Sequence, residues 1–140
     1  MTDLLLLIPI VILGGLVILS VMSQRGTAPG VELGRLRGGS PKPNSVSSEP
    51  DTPAPQRVEP LPATRDDIRR IVAETGGTIV ADSEDYIAAT YSTPILRFVD
   101  DVEFRRDGTV WQVRSASRVG HSDMGANRKR VERLRAALVE

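Results

Sequence analysis

A hairpin signal inside residues 98–135 constrains the fold of this chain most strongly. Asp107-Gly108 is a strong signal for a two-residue β-turn, and residues of alternating polarity lie on both sides of it. If these two residues form the loop, Phe104 lies opposite Trp111, and the aromatic pair faces the core. The stretch therefore predicts two long antiparallel strands whose register is set by the turn.

The same register places polar side chains on both faces of the hairpin. On the outer face, Asp101 lies opposite Arg114, which predicts an ion pair contributing less than about 1 kcal/mol if it is exposed. On the core face, Asp100 lies opposite Ser115, and Ser117 follows on the same side. Because an unpaired buried carboxylate is costly, we expect hydrogen-bond donors near Asp100.

A basic helix follows this hairpin. Ser122 and Asp123 are both good N-caps, so the helix is predicted to begin at one of them. The predicted apolar stripe consists of Val131, Leu134 and Leu138, with Ala137 beside it. The basic residues of this helix, Arg128, Lys129, Arg130, Arg133 and Arg135, have two interpretations. They form a solvated face, or Arg118, Asn127, Arg128 and the amides at the helix start converge on a phosphate or carboxylate.

These patterns define a candidate ligand site where the hairpin meets the last helix. Its members are Asp100, Arg114, Ser115, Ser117, Arg118, Ser122, Asp123, Asn127 and Arg128. A second interpretation makes the same cluster a structural network that fixes the strand–helix junction. A third is a hydrolase-like enzyme that uses Asp100 or Asp123 as the base.

Signals for catalysis, metal binding and cofactor binding are weak. His121-Ser122-Asp123 contains the residue types of a hydrolytic triad, but the side chains of a triad converge from separate elements. One His and no Cys leave only carboxylates as metal ligands, and the turn 82–85 lacks the glycine and spacing of a calcium loop. We therefore assign no catalytic residue, no metal site and no cofactor.

Another helix and another hairpin precede this region. Thr64 is a predicted N-cap, and Gly76-Gly77 ends the helix. Its apolar residues are Ile68, Ile71 and Val72. Thr78–Ala81 and Tyr86–Ser92 are predicted strands joined by a polar turn. The prediction is an α+β domain over residues 58–140: a helix, four antiparallel strands in two hairpins and a C-terminal helix, in two layers.

An uncharged apolar run, Leu4–Met22, cannot belong to this domain. About 19 residues at roughly 1.5 Å each give a helix of about 28 Å, close to the hydrocarbon thickness of a bilayer. A cleaved signal peptide is the alternative, but such peptides start with a positive segment, and this chain starts with Met1-Thr2-Asp3. We therefore expect a single-pass membrane anchor that contacts the lipid bilayer.

The residues between the anchor and the domain, 23–57, are rich in Gly, Pro and Ser and predict a flexible linker. Arg25, Arg35, Arg37 and Lys42 follow the apolar run, so the positive-inside rule places the C-terminal domain in the cytoplasm. A periplasmic location stays open, because the absence of Cys fits either compartment.

Three segments carry a resemblance to a known family. Phe98–Arg105 (FVDDVEFR) and Val113–Arg135 (VRSASRVGHSDMGANRKRVERLR) closely resemble DUF1499, a family of domains of unknown function from bacteria and plastids. PNSVSS, residues 43–48, resembles the PNCVSS motif of that family. The resemblance extends over roughly Gly34 to Leu138. Members of that family are commonly secreted, lipid-anchored or membrane-attached, so the resemblance implies a bacterial protein of one of these kinds. It also implies that residues 39–48 dock on the domain.

The chain departs from the family pattern at two places. Gly39 (or Ser40) and Ser45 replace the two cysteines that family members usually carry around the PN motif, so the resemblance implies no disulfide here. His121 replaces the usual tyrosine before the Ser-Asp pair. The resemblance implies no activity.

A non-enzymatic, membrane-tethered module is the leading functional hypothesis. It would bind a small anionic ligand, a lipid headgroup or a protein partner. In such a site Asp100 and the serines would orient the ligand, while Arg118 and Arg128 would supply charge. The alternatives are the hydrolase-like enzyme and a purely structural or assembly protein. The formal net charge of zero excludes a global attraction to nucleic acid.

Overall fold

The structure is a computed structural model that describes residues 2–140; within them it has three α-helices and one five-stranded sheet. Met1, the first residue of the segment compared above with the start of a signal peptide, lies outside the described residues. The helices are α1 (Thr2–Gln24), α2 (Arg65–Glu74) and α3 (Ala126–Ala137). The strands are β1 (Ser45–Ser47), β2 (Thr78–Asp82), β3 (Tyr86–Ser92), β4 (Val99–Asp107) and β5 (Val110–Ser117). A short 3-10 helix spans Ala54–Gln56.

The sheet is antiparallel, with strand order β1-β5-β4-β3-β2. Helices α2 and α3 pack on one face, which we call the inner face. Its strand residues in the core are Ile87, Ala89, Tyr91, Val102, Phe104, Trp111 and Val113. This arrangement confirms the predicted α+β class. Strand β1 is a fifth strand that extends the predicted four and pairs with β5.

Helix α2 forms as its sequence predicts. The Thr64 hydroxyl accepts a hydrogen bond from the Asp67 amide, and the Asp67 carboxylate accepts one from the Thr64 amide, which makes a capping box. Three apolar residues of the helix, Ile68, Ile71 and Val72, are fully buried. Capping and apolar spacing together explain why this helix begins and packs where it does.

The predicted register of the β4–β5 hairpin is wrong by two residues. Asp107 pairs with Val110, so the loop consists of Gly108 and Thr109. Gly108 has a φ of 61°, and a type II′ turn needs glycine at its first loop position. Each β4 residue therefore pairs two positions further along β5 than predicted. A shift of two residues keeps every side chain on its predicted face.

Helix α3 begins at Ala126, and the prediction that Ser122 or Asp123 is its N-cap is wrong. The N-cap is Gly125, with a φ of 82°, and the preceding residue Met124 also has a positive φ, of 53°. These two residues turn the backbone, which delays the helix. The predicted stripe is confirmed: Val131, Leu134 and Ala137 are buried, and Leu138 packs against the core.

The structure corrects the predicted flexible linker over residues 23–57. Residues 44–49 are buried, β1 adds an edge strand to the sheet, and Leu36 is buried. The buried Glu49 carboxylate accepts hydrogen bonds from the Leu36 amide and from the Arg105 guanidinium, at 2.9 and 3.1 Å for the latter. Specific polar bonds of this kind leave no hydrophobic periodicity, so composition predicts a linker where the chain is docked.

Helix α1 carries the apolar run. Residues Leu5–Gln24 have a mean hydropathy of 2.9, and their side chains are almost entirely exposed, so by length and composition the helix could cross a membrane. A signal sequence near an N-terminus meets the same criteria. The C-terminal end of α1 contacts the start of β4: the Val99 amide donates to the Ser23 hydroxyl at 3.2 Å, and Ser20 contacts the Leu96 carbonyl.

Candidate functional site

The inner face and α3 meet in a polar cluster that we call the junction network: Asn44, Asp100, Ser115, Ser117, Asp123, Asn127 and Arg130. Asn127, in the first turn of α3, lies at its centre and is 0% exposed. Its amide oxygen accepts hydrogen bonds from Ser115 Oγ at 2.6 Å and from Arg130 Nη1 at 2.7 Å. Its amide nitrogen donates to the Asn44 carbonyl (3.0 Å), Ser117 Oγ (3.0 Å) and Asp123 Oδ2 (2.7 Å).

Arg130 links the Asn127 side chain to Asp100, the acid predicted to face the core. Its Nη2 donates to Asp100 Oδ2 at 2.6 Å, and its guanidinium lies 5.0 Å from the centre of the Tyr91 ring. Both side chains of the ion pair are mostly buried, so the bond is stronger than a surface pair. The donor that Asp100 was expected to need is therefore an arginine of α3.

Asp123 lies three residues before α3, and its side chain reaches the N-terminus of the helix. Its carboxylate accepts hydrogen bonds from the Gly125 amide at 2.9 Å and from the Asn127 amide at 3.2 Å. A helix N-terminus favours an anion because its amides lack partners within the helix. Here a carboxylate of the chain itself takes that position, in place of the predicted bound phosphate or carboxylate.

Four of the nine predicted site residues lie elsewhere. Arg114 and Arg118 point to the opposite, outer face of the sheet, where each pairs with an acid. Ser122 is exposed, and its hydroxyl accepts a hydrogen bond from the Met124 amide at 3.3 Å. Arg128 donates to the carbonyls of Arg57 and Pro55. The positive charges predicted to converge on a ligand are thus dispersed.

A small cavity of about 170 Å³ adjoins the junction network. Asp123 and Arg128 line it together with Ser45, a buried residue whose hydroxyl has no hydrogen-bond partner among the described residues. Pockets for organic ligands usually have volumes of about 300 Å³ or more. The cavity is therefore too small for such a ligand.

Sequence reasoning missed two members of the junction network. Arg130 follows Asn127 by three residues, so helical spacing could have placed both on the same face. Asn44 lies in the PNSVSS segment, which composition assigns to the linker but which the structure places beside β5. Only the family resemblance pointed to this segment as part of the domain.

The outer face of the sheet carries buried ion pairs. Glu103, 0% exposed, pairs with Arg114 at 3.1 Å, and Asp101 pairs with Arg118 through two bonds of 2.8 and 2.7 Å. The predicted Asp101–Arg114 pair is wrong, because the two-residue shift places Arg114 opposite Glu103. The Gly30 amide also donates to Glu103, at 2.8 Å. Residues before β1 therefore cover this charged face.

Tyr86 completes the group around Glu103. Its hydroxyl donates to Glu103 Oε1 at 2.8 Å. Burial, and then the neighbouring Glu103 carboxylate, raise the pKa of the Tyr86 phenol. The phenol is therefore held as a neutral donor.

Arg118 joins the outer face to α1. Besides its two bonds to Asp101, its Nη1 donates to the Ser23 carbonyl at 2.9 Å. The hydrogen bond with Asp101 raises the pKa of Arg118, so the guanidinium remains charged. A cation near the last carbonyls of a helix interacts favourably with the helix dipole. This residue, predicted to bind a ligand, thus connects the domain to the apolar helix.

A cavity of about 630 Å³ lies between residues 24–30 and the outer face of β2 and β3. The surface that lines it is mainly apolar. Its walls include Val80, Ala88 and Val99, with Gln24 and Arg118 at the end next to α1. Its volume falls in the range of roughly 300–1,000 Å³ that is typical of ligand pockets.

Among residues 2–140, no three His, Asp or Glu side chains are grouped so that they could hold a metal ion.

Comparison with known proteins identifies one family. Residues 35–138 match the family described as "Protein of unknown function (DUF1499)". No curated protein matches the chain. The matched region begins before β1 and ends after α3, so it includes both the junction network and the outer-face ion pairs. The chain is therefore a member of the DUF1499 family.

Proposed function

We propose that this protein is a single-pass membrane protein whose domain lies directly on the bilayer surface and contacts lipid headgroups without catalysing a reaction. The observation that carries the proposal is the attachment of α1 to the domain. Ser23, fully buried, accepts from Val99 through its hydroxyl and from Arg118 through its carbonyl. With so short a connection, a membrane-spanning α1 would leave no room between the bilayer and the domain.

The loop between β3 and β4 supports this placement. Ser20 lies inside the apolar run and contacts the Leu96 carbonyl of this loop. Ile95, at the tip, is 91% exposed. At about 1.5 Å per residue, Ser20 lies only about 3 Å from the end of the run at Met22. The loop would then reach the boundary between hydrocarbon and headgroups, where an exposed isoleucine is favourable.

Exposed basic residues at the same end favour anionic headgroups. Arg25 follows α1 directly, and Arg97 lies in the β3–β4 loop; both are exposed, and neither has an ion-pair partner among the described residues. A basic residue next to the cytoplasmic leaflet contributes about 1 kcal/mol of attraction to anionic lipid. The basic residues after the run favour a cytoplasmic position for the domain.

The junction network supports a non-enzymatic role. Asp100, one candidate base, is held by Arg130, and Asp123, the other, is held by two backbone amides and the Asn127 side chain. The engaged carboxylates favour the structural interpretation of this cluster.

Single-cysteine labelling tests the proposal, because the chain has no cysteine. The full chain would carry Ile95→Cys or Thr109→Cys, a fluorophore sensitive to polarity, and vesicles of phosphatidylcholine and phosphatidylglycerol with nitroxide-labelled lipid. Thr109 is the matched control, since it is exposed and lies at the other end of β4, about 30 Å away at 3.3 Å per residue. We expect nitroxide quenching at position 95 and none at position 109. Equal quenching at both positions, or none at position 95, would contradict the proposal.

A further inference from the structure

The cavity between residues 24–30 and the outer face of the sheet is built where small side chains leave space. Ala88 on β3, 2% exposed, lines it at a position where the neighbouring β4 strand carries the larger Glu103. Residues 24–30 form the opposite wall. At Gly26 an added Cβ would come within 2.9 Å of Arg118 Cδ, so glycine permits the close approach of this wall.

The charged and phenolic groups at the cavity are already engaged. Arg118 is held by Asp101 and by the Ser23 carbonyl, and the Tyr86 hydroxyl is donated to Glu103. The lining also contains the uncharged polar side chains of Gln24, Thr27 and Thr90, and its exposed surface is mainly apolar, with Val80, Ala88 and Val99 among the apolar residues. With its charges neutralised in this way, the cavity suits an apolar occupant better than an anion or a metal ion.

The position of the cavity identifies the source of that occupant. Gln24, Val99 and Arg118 all line it and lie at the attachment of α1: Gln24 is the last residue of α1, and Val99 and Arg118 both donate to Ser23. A lipid acyl chain that moves from the bilayer into this space remains in apolar surroundings, so it gains no contact with water. The aqueous side offers no comparable local supply of apolar molecules.

We infer that the cavity binds one acyl chain of a membrane lipid, taken from the bilayer beside α1. The inference rests on the proposed membrane position of the domain. The headgroup of that lipid would remain at the level of Arg25 and the β3–β4 loop. The site would let the domain sense or hold a lipid, and not merely lie on the surface.

Photo-cross-linking tests this inference with the full chain in phosphatidylcholine–phosphatidylglycerol nanodiscs. The probe is a phosphatidylcholine with a diazirine near the end of one acyl chain, and cross-linked residues are mapped by mass spectrometry. We expect cross-links in α1 and, within the domain, at Tyr86, Ala88 or Thr90. The variant Ala88→Phe fills the cavity, so the domain cross-links are lost while those in α1 persist. Thr109→Phe, which adds the same ring at the exposed turn, leaves both sets unchanged.

A second variant controls for the case in which Ala88→Phe misfolds. Val80→Phe fills the cavity from a partly exposed edge-strand position and is expected to remove the domain cross-links with an unchanged melting temperature. Cross-links in α1 without any in the domain overturn the inference and leave the proposed function standing. The absence of cross-links in α1 itself contradicts the proposed membrane position. Domain cross-links that survive both variants also overturn the inference.

Discussion

At the scale of single residues, Asn127 joins the sheet, the segment before β1 and the first turn of α3. It is buried, and both the oxygen and the nitrogen of its side-chain amide form hydrogen bonds. Its replacement would therefore leave several polar groups without this partner at once. The alternation of the strands predicted that Asp100, Ser115 and Ser117 face this helix. Alternation could not predict that Arg130 would neutralise Asp100, because that depends on the distance between two elements far apart in sequence.

Replacing Asn127 tests whether the junction network is structural. We expect Asn127→Ala to lower the free energy of unfolding by about 2–4 kcal/mol, because the Ser115 hydroxyl and the Asn44 carbonyl lose a buried partner. Ser122→Ala, in the same loop but exposed, is expected to change it by less than about 0.5 kcal/mol. Denaturant unfolding of both variants measures the difference. Equal, small effects would show that the network does not stabilise the fold.

The two tyrosines give a test of burial at high pH. Burial raises the pKa of Tyr86 and of Tyr91, the only tyrosines in the chain. The folded state therefore holds its phenol protons where the unfolded state, with pKa values of about 10, releases them. The stabilisation is complete below about pH 10 and is lost as the pH rises further. In a pH titration, phenolate absorbance should rise at a higher pH in the folded protein than in the denatured protein. Coincident titration curves would refute this.

At the scale of elements, local signals predicted most of the fold. Capping and apolar spacing gave α2, and β-propensity between turn residues gave β2 and β3. The β4–β5 turn was misplaced because two loop types compete around Gly108. A type I′ turn would place Asp107 at positive φ, whereas the type II′ turn requires this only of Gly108.

Strand β1 could not be predicted from local signals, since its three residues form a strand by pairing with β5, which is distant in sequence. Val46 is nevertheless part of the core. We expect Val46→Ala to lower the free energy of unfolding by about 2 kcal/mol through lost burial and a residual cavity. Val139→Ala is the matched control, because Val139 is 87% exposed. If both variants unfold at the same denaturant concentration as the unaltered chain, β1 is not docked.

At the scale of the whole molecule, the segment after α1 decides how the domain is joined to the apolar helix. Its Gly, Pro and Ser content predicts a coil, yet its polar groups bond to the charged outer face of the sheet. Glu49 binds Arg105, Gly30 binds Glu103, and Ser48 Oγ donates to the Gln112 side chain at 2.6 Å. These partners are 56 or more residues apart in sequence, so no local pattern reveals them.

The central claim is that α1 and the domain form one unit, and a distance measurement tests it most directly. Spin labels on Arg25→Cys and Thr109→Cys would be placed in the full chain in nanodiscs, with Met124→Cys and Thr109→Cys as a reference pair inside the domain. Pulsed electron spin resonance should give a distance distribution for the first pair as narrow as that of the reference. A free coil of residues 23–57 would spread the distances over roughly 30 Å, and such a broad distribution would contradict the account.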